Sequence, residues 1–408
     1  MFPARSVYLA TSFIWGLLFW MMVTVFMVYQ VEVVRLDPLQ LVLVGTALEV
    51  SAFIFEIPTG IVADTYSRRL SVVVGYFITG LGFLLMGLVP TFLALVAASF
   101  LWGIGWTFVS GAHQAWLADE IGEAEAAATY LVGARIGNYG AFLGILFAVF
   151  VGSVETGYPI VVSGALFCLF SIALFFAMPE TGFKGREAAS YGTMLTTLKE
   201  GVSVIRGSST LLLLMVVGVV FGTFSEGYDR LAVAHLIREF PLVEYTGMST
   251  VVLFGTLAAM GILLSIGAVS LAEQTVDTNS ARQLAIALSL ATALIIVSVI
   301  MFALTGYVWL ALAMYILIQP MRSVTHPLTM AWFNRNIPSS SRATVISLHS
   351  QSDALGQMAG GPGVGLIGRD FGVRVAISTA GLLLLPALWL YGHAIRNSNQ
   401  LDTYHKGL

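Results

Sequence analysis

Charge is what this sequence has least of: only 10% of its 408 residues are Asp, Glu, Lys or Arg. Soluble domains carry roughly 25% charged residues, so the chain lacks the polar surface that water requires. Cysteine is nearly absent as well. The single Cys168 lies in an apolar stretch, which excludes an intrachain disulfide framework. There is no Gly-rich phosphate loop ending in lysine, no His-Glu-x-x-His zinc motif and no Gly-x-Ser-x-Gly elbow. ATP hydrolysis is therefore set aside, and no enzyme activity, metal or cofactor is expected. Nor does any basic tract point to nucleic acid.

Hydrophobicity is what remains. Hydrophobic residues make up 58% of the chain, and its mean hydropathy is +0.89. The apolar runs pass the ~18 residues that mark a membrane span, and the 41 glycines suit helices whose backbones pack closely. Backbone groups in lipid must bond within their own segment, so such runs are helices. Twelve are expected, at about 7–31, 38–64, 70–89, 91–117, 128–152, 158–178, 210–237, 248–272, 283–304, 306–333, 343–366 and 371–394. The first is too long for a signal-peptide core and lacks a small-residue cleavage site, so it is read as a retained span. The expected fold is an all-α membrane protein of two pseudo-symmetric six-helix bundles. Residues 1–178 form the first bundle, 179–209 a polar cytoplasmic linker, 210–394 the second bundle and 395–408 a cytoplasmic tail.

Basic residues mark the cytoplasmic side of a membrane protein. With both termini inside, Arg5, Arg68, Arg69, Lys184, Arg186, Lys199, Arg206, Arg282, Arg335, Arg342, Arg396 and Lys406 fall in the cytoplasm. Only Arg35, Arg238, Arg369 and Arg374 then face outward. The halves also repeat. At an offset of 216 residues Ala115-Trp116 matches Ala331-Trp332, Gly140 matches Gly356, and Gly144 matches Gly360. This pattern favours parallel repeats related by an axis along the membrane normal.

The turn between spans 2 and 3 reads Gly60-Ile-Val-Ala-Asp64-Thr-Tyr-Ser-Arg68-Arg69. It resembles the loop signature of the major facilitator superfamily, with Ser67 where that family usually has glycine. Span 4 ends Ala115-Trp-Leu-Ala-Asp119-Glu120, similar to the acidic close of this span in many relatives, and Pro179-Glu180-Thr181 after span 6 is also familiar. The resemblance covers essentially the whole chain and is nearest to bacterial efflux permeases of twelve helices. It implies a transporter of the inner membrane working by alternating access. Ser99 stands where drug exporters often carry arginine in span 4. Span 5 has Gly133, Gly137, Gly140 and Gly144 but lacks the Gly-Pro of the antiporter signature, and Gly360-Gly361-Pro362-Gly363 lies in span 11 instead.

The loop motif has a physical reading of its own. Gly60 lets spans 2 and 11 approach closely. Asp64 can cap the next helix and pair with Arg68 or Arg69. Asp119 or Glu120 can complete a charge cluster made when the inner gate shuts.

Ionisable residues within the spans say more about mechanism. A charge at mid-bilayer costs roughly 2.5–3.5 kcal/mol on insertion scales, so its retention points to a cavity and a partner. The set is Glu49, Glu56, Arg135, Glu226, Asp229, Arg230, Arg322 and Asp353. Glu226 and Arg230 stand at i and i+4, the order that favours an intrahelical pair. Glu49 and Glu56 share a face of span 2 within reach of Arg135, and Arg322 and Asp353 lie at similar depth in spans 10 and 11. Five carboxylates against three arginines leave about two acids over. A desolvated carboxylate can exchange a proton near neutral pH, so Asp229, Glu49, Asp353, Glu226 and Glu56 are the proton-coupling candidates. Arg135, Arg322, Asn138, Tyr228 and Tyr29 are the substrate-binding candidates. His113, His235, His326 and His349 are in or near spans, with no metal spacing among them.

These features point to proton-coupled export of a small hydrophobic or amphipathic compound by a monomer. Two alternatives stay open: import of a metabolite or organic anion held by Arg135 or Arg322, and a non-transporting sensor or lipid scramblase with the same fold.

Overall fold

The structure, a computed structural model, describes residues 2–183, 191–337 and 341–404. Parts of the linker and tail, with Lys184, Arg186 and Lys406 from the orientation count, lie outside the described residues. Every regular element among those residues is helical: α1 (Ala4–Val28), α2 (Pro38–Thr65), α3 (Arg68–Leu88), α4 (Phe92–Val109), α5 (Ala112–Ile121), α6 (Glu123–Gly152), α7 (Tyr158–Ala177), α8 (Tyr191–Arg206), α9 (Ser209–Glu239), α10 (Leu242–Thr246), α11 (Thr250–Thr275), α12 (Ala281–Leu304), α13 (Val308–Asn336), α14 (Arg342–Phe371), α15 (Val373–Leu382) and α16 (Leu385–Tyr404). A π-helical turn, Tyr29–Val33, extends α1.

Local chemistry sets the helix starts. Asp37 and Gln40 form a reciprocal capping box on α2, with bonds of 2.9 and 3.0 Å, and Pro38 takes the first helical position. Ser67, Ser208 and Ser280 each accept a hydrogen bond from the backbone N–H three residues on, at the starts of α3, α9 and α12. The cap of α3 is thus Ser67 rather than Asp64, because Asp64 is still inside α2.

Eleven helices among the described residues are long and apolar enough to cross a membrane. The twelfth position belongs to α14, which has 30 residues but carries His349, Gln351, Asp353 and Gln357 through its length. Two expected spans are broken. Span 4 divides at Ser110–Gly111, where Gly111 has φ +68°, and span 12 divides between α15 and α16. The polar linker contains the helix α8.

The chain forms two compact units, Met1–Thr193 with Thr246–Thr256, and Met194–Tyr245 with Leu257–Leu408. In the first, α1 packs on α6, α3 lies between α4 and α7, and α2 rests on α4. The second is built on α9 against α14 and on α12 against α13, α15 and α16. The sequence repeat has a packing counterpart. A Cβ at Gly140 would strike the Phe13 carbonyl where α6 crosses α1, and one at Gly356 would strike the Val219 carbonyl where α14 crosses α9. These crossings bring backbone against backbone, so only hydrogen fits. The core of the second unit gathers Leu211, Leu214, Leu284, Leu288, Trp332, Phe333, Val345 and Tyr391.

Replacing Gly140 with valine should therefore destabilise the protein by about 1–3 kcal/mol through overpacking. Gly267→Ala in α11, where a Cβ meets nothing within 4 Å, should be neutral or slightly stabilising. Thermal melting of the two variants in detergent checks the contrast.

Candidate functional site

The second unit holds a cavity of about 530 Å³. Three helices bring its charges together: α9 supplies Glu226, Asp229 and Arg230, α13 supplies Arg322, and α14 supplies Asp353. His326, His349 and Gln357 add hydrogen-bonding groups, while Phe221, Met330 and Ile346 form apolar parts of the wall. Helical spacing explains the clustering. Residues 349, 353 and 357 fall on one face of α14, and residues 226, 229 and 230 occupy one turn of α9. Pro320 and Pro327 lie inside α13 on either side of Arg322. Each removes an N–H, leaving the carbonyls of Ile316 and Ser323 without their usual helical donor and loosening the helix locally.

Arg322 grips Asp229 with both arms of its guanidinium, Nη1 to Oδ1 at 2.5 Å and Nη2 to Oδ2 at 2.9 Å. This is the fork-to-fork contact that arginine makes best. The same guanidinium carbon is 5.7 Å from the centre of the Phe224 ring, a cation–π contact. One turn away, Arg230 Nε donates to Glu226 Oε1 at 3.1 Å, and the Glu226 side chain is only 2% exposed. Asp353 forms no ion pair among the described residues; its Oδ2 accepts a 2.7 Å bond from Gln357 Nε2. The sequence set Arg322 level with Asp353, and in the structure the carboxylate that Arg322 bonds is Asp229.

Other candidates lie elsewhere. Tyr228 is buried and stacks on Phe224 with centroids 5.6 Å apart, outside the cavity lining. In the first unit, Glu49 and Glu56 are half-buried on α2, and Glu56 lies against Ser110. Arg135 and Asn138 are exposed on α6, and Arg135 forms no ion pair among the described residues, so the expected contact with the acidic face of α2 is not made. Tyr29 is buried, and its hydroxyl donates toward the carbonyls of Met86 and Gly87 at 3.1 and 3.3 Å.

The loop motif forms a second polar centre, wholly within the first unit. Arg68 reaches Asp119 at 2.5 Å, Asp64 at 3.1 Å and the Ala115 carbonyl at 3.0 Å. Glu180 accepts from the Ser67 hydroxyl at 2.7 Å and from the Arg69 N–H at 2.9 Å, and the Arg69 guanidinium donates to the Phe175 carbonyl. Glu120 takes the N–H groups of Thr181 and Gly182. Trp116 donates to the Pro179 carbonyl at 2.6 Å. Gly60 faces open space: a Cβ there meets nothing within 4 Å, so packing does not demand glycine. Glu180 and Gln357 were not singled out as site residues. The i,i+4 spacing of Asp353 and Gln357 was the available signal, whereas the reach of Glu180 to Ser67 crosses 113 residues and has none.

A membrane chain with this repeat, this loop network and a charged cavity inside its helices has the attributes of a solute carrier. The Major Facilitator Superfamily profile matches residues 6–361, and the chain belongs to that family. It is an MFS-type membrane transporter. It is 22% identical over 363 residues to an uncharacterised MFS-type transporter, YxaM, of Bacillus subtilis (strain 168), covering 87% of each chain. It superposes on the nucleoside transporter NupG with a TM-score of 0.79 at 11% identity, over 96% of this chain and 99% of that one. A bacterial homologue of the human lysosomal transporter Spinster, inward-facing and unoccupied, gives 0.73 at 16% identity over 98% and 99%. A POT family transporter in complex with 5-aminolevulinic acid gives 0.72 at 13% identity over 97% and 96%. At such identities the likeness carries the fold.

Arg68 should be the least replaceable residue of the loop network. Its side chain is 12% exposed, and removing it strands two carboxylates. Arg68→Ala should lower stability, and a double-mutant cycle with Asp119→Ala should show a coupling of about 1–3 kcal/mol. Denaturation in detergent supplies the measurement, and additive effects would sink the claim.

Proposed function

We propose that this chain is a proton-coupled secondary transporter that works by alternating access and exports a small amphipathic compound. One observation carries the reading. The cavity of the second unit holds three carboxylates and two arginines, and each arginine bonds one carboxylate, leaving Asp353 with an amide partner alone. A carboxylate in a desolvated cavity without a cation is stabilised by binding a proton. Asp353 is thus the proton-carrying group.

The neighbouring pair supplies the coupling. Asp353 interacts electrostatically with both Arg322 and Asp229. When Asp353 is neutral, Arg322 is held by Asp229 alone. When Asp353 loses its proton, Arg322 is drawn between two acids, and α13 is drawn with it. Protonation is thereby converted into a change in which helix holds the arginine. The halves 1–178 and 210–394 are the bodies that rock, with Gly60, Asp64, Arg68, Arg69, Asp119 and Glu120 as the gate on the cytoplasmic side. The excess of arginine and lysine on one set of loops supports placing both termini in the cytoplasm of a cell with the chain in its inner membrane. Export is supported by the resemblance to efflux permeases.

A second reading, import of an organic anion, is favoured by the bidentate Asp229–Arg322 geometry. A substrate carboxylate offers Arg322 the same two oxygens that Asp229 does. In that case Arg322→Lys would cost affinity with the charge retained.

The experiment is transport by inverted membrane vesicles, with lipophilic dyes and antibiotics screened while a pH-sensitive fluorophore reports proton movement. Substrate-dependent proton flux should fall at least about tenfold in Asp353→Asn and in Asp229→Asn, a loss of about 1.4 kcal/mol of coupling at minimum. Flux unchanged in both variants would overturn the assignment. Uptake into right-side-out vesicles would instead support import, and lipid flip without any gradient would support a scramblase.

A further inference from the structure

The same cavity carries a statement about what it admits. With its histidines neutral, Glu226, Asp229 and Asp353 against Arg230 and Arg322 leave one negative charge in excess. That charge falls on Asp353, since the other two acids are each satisfied by an arginine. The Asp353 carboxylate faces the cavity together with the rings of His326 and His349. The Nδ1 atom of His349 is buried without a hydrogen-bond partner, and its ring lies on that of Phe333, with centroids 4.6 Å apart. A buried polar atom without a partner costs free energy, which a ligand or water in the cavity would recover. Elsewhere in the lining, half-buried Phe221, Met330 and Ile346 offer an apolar surface.

An anion would meet Asp353 with repulsion and would have to displace Asp229 or Glu226 from its arginine. A neutral apolar molecule would fill the wall but strand Asp353. A molecule with one positive charge and a hydrophobic body satisfies both sides at once.

We infer that this cavity selects organic cations, held by Asp353 against the Phe221, Met330 and Ile346 wall and competing with a proton for that carboxylate. The inference rests on the cavity being the transport site proposed above, and it adds a substrate class and a reason for antiport. One carboxylate that holds either a proton or a cation, never both, exchanges the one for the other.

Several other groups line the cavity with Asp353 and bear on any pH dependence. Helix α9 presents Glu226, Asp229 and Arg230; α13 presents Arg322 and His326; α14 itself presents His349; and α16 presents Tyr391. Protonation of either histidine would also repel a cation, so their contribution has to be separated.

Binding to the full-length protein in detergent provides the test, with tetraphenylphosphonium as a permanently charged probe and tetraphenylborate as its anion of matching shape. Tetraphenylphosphonium should bind, the borate should not, and cation affinity should fall at least about tenfold between pH 8 and pH 5. Adding the cation in weakly buffered solution near neutral pH should release protons, up to one per chain. Asp353→Asn should lose both affinity and pH dependence, and Asp353→Glu should keep them. His326→Gln and His349→Gln should retain the pH dependence. Equal binding of the borate, a cation affinity indifferent to pH in the wild-type protein, or pH dependence lost with either histidine would each overturn the inference. The wild-type measurements stand even if Asp353→Asn does not fold. Cation binding intact in detergent with no proton flux in vesicles would instead defeat the transport mechanism and leave this inference standing.

Discussion

A guanidinium carried into a membrane span is cut off from most of its water, so it needs a bond to another part of the protein. Arg322 does this with both oxygens of Asp229 and the face of Phe224. Asp229 stays partly open to the cavity, but Arg322 without it would be a charge stranded within a span, which constrains the helices around the pair. Helix α13 must run beside α9 with residue 322 level with residue 229. The Glu226–Arg230 bond satisfies the remaining charges of that turn without drawing on Asp353. The surplus carboxylate of α14 follows from this arrangement.

The two units use the same crossing geometry for different ends. In each, a glycine of a long helix lets backbone meet backbone, Gly140 of α6 on Phe13 and Gly356 of α14 on Val219. The first unit concentrates its bonded charges at a helix boundary, where Arg68, Asp64 and Asp119 meet beside the Glu180 bridge. The second holds them inside its helices. A repeated scaffold thus carries a bonded charge cluster at a helix boundary in one copy and an ionic interior in the other.

Much of this was legible in the sequence because the signals are local. The Glu226–Arg230 pair follows from i,i+4 spacing and the spans from unbroken apolar runs, while the cap of α3 was sought at Asp64 and is Ser67. Contacts between helices were legible only in part. Depth along the membrane can be read by counting residues, and it placed Arg322 and Asp353 at comparable levels. Rotation about each helix axis cannot be counted, and it decides that Arg322 turns to Asp229. The break at Ser110–Gly111 was hidden because both residues are small and sit in a run apolar enough to span without them. Helix α14 was read as a span despite its polar residues; those same residues, needed in the cavity, depress its hydropathy.

The clasp between α9 and α14 has a mechanical consequence. A Cβ at Gly222 would strike the carbonyl of Asp353 itself, and one at Gly356 the carbonyl of Val219, so the two backbones interlock at Asp353 and about one turn before Glu226. Glu226, Asp229 and Asp353 therefore ride on a single stiff beam, their spacing fixed by main chain rather than by side-chain choice. Arg322 arrives on a different member, a helix with a proline on each side of it. In engineering terms the acids share one frame and the arginine is mounted on another: the spacing of the negative charges is set within the α9–α14 clasp, and that of the positive charge is not.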